Sequence, residues 1–111
     1  MKRFDSVIGW GIVVLGMVHC AVTFQAYKSA TDAALWFFTG GLALIYGGLL
    51  NLLRAEYRRP GIRYASLFAN LSLLAFAVVY AGRNPMRALH DPAAWFLFAL
   101  LGLATFFSLR R

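Results

Sequence analysis

Four apolar stretches of bilayer-spanning length, set apart by short polar clusters, constrain this chain more than any other feature. They cover residues 6–24, 33–53, 62–80 and 92–109. A helix needs about 17–25 apolar residues to cross a hydrocarbon core, and each stretch supplies that. The chain has 111 residues, so it is one domain, 1–111. Ordinary helix punctuation marks the ends. Thr31 or Asp32 is placed to cap the second helix, Pro60-Gly61 breaks the chain before the third, and Asn84-Pro85 breaks it after. Asp91-Pro92 gives a cap followed by proline at the first helical position. Short connections make successive helices antiparallel neighbours. The sequence thus predicts an all-α integral membrane protein, an antiparallel four-helix bundle.

Composition agrees. Hydrophobic residues make up 61% and charged ones 14%, against nearer half and about a quarter in soluble domains. A net charge of +7 does not read as a nucleic-acid face, because the charges sit in short clusters between apolar runs. A single cysteine, Cys20, allows neither an internal disulfide nor a C-x-x-C pair. The first stretch follows Lys2 and Arg3, as a signal peptide would. Its 19 apolar-rich residues exceed the usual h-region, and no small-x-small cleavage site follows, so it is read as a retained span. No internal repeat is visible between the two halves.

Orientation follows from basic residues near the spans. Lys2, Arg3, Arg54, Arg58, Arg59, Arg63, Arg110 and Arg111 fall on one side, and Lys28, Arg83 and Arg87 on the other. Eight against three places both termini and the 54–63 loop inside. Tyr27, Trp36, Tyr80 and Trp95 then form an outer aromatic belt. The arginines of the inner loop, Arg54, Arg58, Arg59 and Arg63, are candidates for anionic lipid headgroups, with plain topology signalling the simpler account.

Small residues mark helix seams in membranes. Gly9, Gly16 and Thr23 recur at intervals of seven on the first span. Gly40 and Gly47 do so on the second, with Asn51 one turn beyond and Gly41 and Gly48 beside them. Ser66, Asn70 and Ala77 share a face of the third span, and Trp95, Ala99, Gly102 and Thr105 approximately share one of the fourth. The additional Gly41–Gly48 face is a candidate homodimer contact.

His19 is the main functional handle. At about 100° per residue it shares a face with Gly16 and Thr23 and points into the bundle, in the expected outer half. Three readings are open. It is a buried neutral imidazole fixing helix register through Thr23 or a residue across the seam. It is the centre of a polar pocket, open to the outer side, for a small solute, lipid group or proton, with Thr23, Asn70 and His90 contributing. Or it ligates haem or a metal with His90, although no H-x-x-x-H or His/Cys cluster supports that. Cys20 and His19 point about 100° apart and do not form a thiolate–imidazole pair. Asp5, Asp32, Glu56 and Asp91 all lie at span ends, so no carboxylate is expected in mid-membrane, where a small proton-coupled exporter would need one. No catalytic residue and no resident cofactor is expected.

Gly16 and His19 spell G-x-x-H. Trp36, Phe37, Gly40, Gly41, Leu42 and Leu44 spell W-F-x-x-G-G-L-x-L. This order resembles a set of small bacterial four-helix inner-membrane proteins, some of them akin to the DoxX-like group. The resemblance covers the first half of the chain and implies a multi-pass protein of the bacterial inner membrane. The redox associations of the DoxX-like group do not carry over, because no residue set here matches a catalytic role. The sequence is therefore read as that of a membrane protein that binds a small ligand near His19, with passage of that ligand as an extension of the same reading. The alternatives are an accessory subunit with no ligand and a redox component carrying haem or quinone.

Overall fold

Each apolar stretch is a helix, and each helix extends past the stretch within it. In the computed structural model, which describes residues 2–110, α1 is Lys2–Ala26, α2 Asp32–Glu56, α3 Pro60–Arg83, α4 Pro85–Leu89 and α5 Pro92–Arg110. Arg111 and the Lys2 side chain, both counted above among the inner charges, lie outside the described residues. Among those described there is no strand.

The ends form as local chemistry dictates. Thr31 is the N-cap of α2, its hydroxyl oxygen accepting the Ala34 N–H at 3.1 Å. Pro60 occupies the first turn of α3, where its missing N–H costs nothing. The Asp91 carboxylate accepts the Ala93 N–H at 3.0 Å, with Pro92 as the first residue of α5. The short α4 was not expected. It arises because Asn84 ends α3 and Pro85 at once begins another turn.

The helices run up and down around a ring. α1 packs most extensively on α2, α2 on α3, α3 on α5 and α5 back on α1. The α1–α2 seam is set by glycine. A Cβ on Gly16 would lie 2.7 Å from the Gly41 carbonyl oxygen, and one on Gly48 would lie 2.8 Å from the Val13 nitrogen. Backbones this close leave no space for a side chain. Gly41 and Gly48 are therefore used inside the chain, which corrects their expected role as a homodimer face. The seam of α5 also differs from expectation. Trp95 is exposed, and a Cβ on Gly102 would meet nothing within 4 Å. The buried side carries Ala94, Leu101, Ala104, Thr105 and Ser108. Ile8, Ile12, Leu44, Leu101, Ala104 and Phe107 form the apolar core.

The outer surface is as apolar as the core. Trp36, Phe68 and Phe76 are 76%, 68% and 77% exposed. Four helices (α1, α2, α3 and α5) are long and apolar enough to cross a membrane, and a surface of this kind is stable only in lipid. The chain is a multi-pass membrane protein.

Candidate functional site

The two ends of the bundle are built from opposite materials. One end, where α1 starts and α2 finishes, is filled by a polar network. Asp5 sits in the first turn of α1 and Arg54 in the last turn of α2. The guanidinium donates to both carboxylate oxygens, Nη2 to Oδ1 at 2.7 Å and Nη1 to Oδ2 at 2.8 Å. Arg54 also donates from Nε to Ser66 Oγ at 3.2 Å and from Nη2 to Asn51 Oδ1 at 3.2 Å. Ser66 and Asn70 donate to the same Asn51 oxygen, both at 2.9 Å. The Asn51 amide donates back to Asn70 Oδ1 at 2.7 Å and to the Gly47 carbonyl at 2.9 Å. Asn70 reaches Ser108 Oγ at 3.3 Å, and Ser108 donates to the Thr105 carbonyl. All six side chains are buried, and they come from all four long helices. Arginine only donates and carboxylate only accepts. The pair therefore fixes the direction of every bond downstream.

The other end is hollow. A cavity of about 540 Å³ lies among α1, α2, α3 and α5, within the range of ligand pockets. Val18, Val22, Phe76, Leu97 and Phe98 are typical of its wall. The lining residues with polar side chains are His19, Tyr80 and Asp91. Leu44 and Leu101 belong both to the lining and to the core, so they form a floor between cavity and network. A rise of 1.5 Å per residue puts Asp5 and His19 about 21 Å apart along α1.

His19 is half-buried. Its ring stacks on Phe37 with centroids 4.0 Å apart and planes inclined by 15°. Gly40 faces it, and a Cβ there would sit 3.4 Å from Nε2. The glycine is what leaves room beside the imidazole.

The other expected site residues do not gather round His19. Asn70 belongs to the polar network, because Asn51 offers it a complementary amide. Thr23 is buried, but its hydroxyl donates to the His19 carbonyl at 3.2 Å, and it lines a separate hollow of about 380 Å³ beside the α1–α2 turn. His90 is exposed at the end of α4, where Nδ1 lies 2.8 Å from the Met86 carbonyl, and it is not part of the cavity wall. Among the four arginines expected to meet lipid headgroups, Arg54 is buried in its pair with Asp5 and has no headgroup-facing surface. Arg63 donates to the carbonyls of Ser108 at 3.1 Å and of Leu109. Arg58 and Arg59 are exposed. Asp5 lies at a span end, where it was expected, and there it is enclosed by the bundle. Gly47, Asn51 and Arg54 fall at i, i+4 and i+7, one helix face, which was the available signal that Arg54 points inward. Among the described residues, no group of three or more His, Cys, Asp or Glu side chains could hold a metal ion.

The chain matches no protein-family model, no curated protein and no solved structure.

Proposed function

We propose that this multi-pass membrane protein binds a small ligand or lipid group in the cavity at the His19 end, with that end facing outward from a bacterial inner membrane. The observation that carries the reading is the cavity of about 540 Å³, with an imidazole deep in a mostly apolar wall and a glycine keeping the space beside it open. Binding fits better than passage. A solute crossing the bundle would have to part Leu44 and Leu101 and then a network whose groups are hydrogen-bonded to one another. The rival reading, an accessory subunit whose polar residues set helix register, is favoured by that same network.

Gly40→Leu separates the two. The new side chain grows into the cavity and meets only the His19 ring within 4 Å at its first atom. Native mass spectrometry of the protein extracted in mild detergent should show a bound small mass on the wild type and none on the variant, at equal thermal stability. A wild type that carries no such mass, whatever its source membrane, removes the binding reading and leaves the accessory one.

A further inference from the structure

The geometry points to a ligand that enters sideways from the bilayer, and we propose that it is an uncharged amphiphile with one hydrogen-bonding head on an apolar chain. This rests on the reading of the cavity as a binding site. The two hairpins, α1–α2 and α3–α5, are tied together at the network end: Asn51 bonds Asn70, Arg54 bonds Ser66, and Phe4 meets Phe107 edge-on at 5.4 Å. The residues that line the cavity come from the opposite halves of the same helices. Several of them are at once wall and outer surface. Val18 is 51% exposed and Phe76 77%. Gly40, between them on α2, has no side chain to close the wall.

Depth decides what these openings face. Val18 and Phe76 lie within spanning helices that end at Ala26 and Arg83. A rise of 1.5 Å per residue puts both about 10–12 Å below the helix ends, where a spanning helix is surrounded by acyl chains. The slots between the hairpins therefore open onto hydrocarbon. A charged head would cost several kcal/mol to bring through that layer, so the head is neutral. One ring nitrogen of His19 donates to the Phe37 backbone carbonyl, so the other is left to accept from the head, which suits an alcohol. Val22, Leu97 and Phe98 receive the chain.

The test uses the full chain in phosphatidylcholine nanodiscs doped with a long-chain alcohol bearing a diazirine. After photolysis, adducts on Val22 and Leu97 are expected, with yields roughly tenfold lower in Gly40→Leu, the loss that follows from about 1.4 kcal/mol of binding. Adducts on Phe68, outside the cavity, stay unchanged. A second arm places Ala77→Cys in a Cys20→Ala background and treats it with a water-soluble maleimide. Rapid labelling there, without cavity adducts from the alcohol, means that the cavity fills from water. That overturns the lateral route while leaving a binding site standing. Adducts confined to outward positions, or equal in wild type and Gly40→Leu, overturn the amphiphile. If neither reagent reaches the cavity, the binding reading falls with it.

Discussion

Asp5 and Arg54 stand 49 residues apart in the chain and face each other as a two-pronged ion pair, with bonds of 2.7 and 2.8 Å. Their side chains are each 1% exposed. Such a pair contributes little net stability against apolar replacements of equal volume, but breaking it leaves an uncompensated buried charge. Asp5→Asn or Arg54→Met alone should destabilise the bundle by about 3–5 kcal/mol. The double variant Asp5→Leu with Arg54→Met should recover much of that loss. Unfolding titrations in mixed micelles give the three values, and a double variant no better than the worse single one would contradict this account.

Asn51 has a special place in the same network. Its side-chain oxygen accepts from Arg54, Ser66 and Asn70, whereas the Asn70 oxygen accepts from Asn51, at 2.7 Å. Removing Asn51 strands three buried donors, each worth about 1–3 kcal/mol when left unsatisfied. Asn51→Leu should therefore cost more than Asn70→Leu, by the same unfolding measurement. Equal losses would mean that water or rearrangement resolves the orphaned groups.

The glycines make a graded series. On Gly41 a Cβ would meet Gly16 O at 2.9 Å and Cys20 Sγ at 2.5 Å, and backbone cannot yield. On Gly40 it would meet only the His19 ring, at 3.4 Å and beyond. Gly41→Ala and Gly48→Ala should separate α1 from α2 and lower stability by about 1–3 kcal/mol. Gly40→Ala should be neutral or stabilising by about 0.5–1 kcal/mol, as expected for alanine in an unobstructed helix. Cysteine cross-linking yield between α1 and α2, read beside thermal stability, reports the seam directly.

These contrasts also mark what was legible in the sequence. The spans were, because stretches of about twenty predominantly apolar residues admit few other structures. So were the buried faces of α1 and α3, where Gly9, Gly16 and Thr23, and then Ser66, Asn70 and Ala77, stand out from larger neighbours. The face of α5 was not. That helix is apolar all round, and small residues at Ala94 and Ala104 compete on equal terms with those at Ala99 and Gly102. Asn70 was placed on the correct face and with the wrong partner, since helical phase fixes direction while depth against another helix depends on how the bundle closes. Asp5 looked like a solvated end charge because its partner is a residue of the next helix. The pocket beside His19 was expected, but its wall was not legible, because Val18, Phe76 and Leu97 carry nothing that sets them apart from lipid-facing residues.

His19 makes the last distinction. A residue that fixes register would hold a hydrogen-bond partner on another helix, and its loss would loosen the bundle. The ring does bond one such group, the Phe37 backbone carbonyl, but it also stacks on the Phe37 side chain at 4.0 Å and faces the space left by Gly40. Stacking of this sort contributes about 0.5–1.5 kcal/mol, and leucine retains part of the contact. The bond to the Phe37 carbonyl adds about 1 kcal/mol, so His19→Leu should shift unfolding by about 1–2 kcal/mol, less than Asn51→Leu does. The same substitution should weaken capture of the diazirine alcohol, because the cavity keeps its oil and loses its one deep hydrogen-bonding group. Phe37→Ala provides the complement, since it removes the stacking face but keeps the imidazole and the backbone carbonyl it bonds, and it should reduce capture less than His19→Leu does. A His19→Leu protein that unfolds as readily as Asn51→Leu would place the imidazole among the structural residues, and the cavity would then need another polar contact.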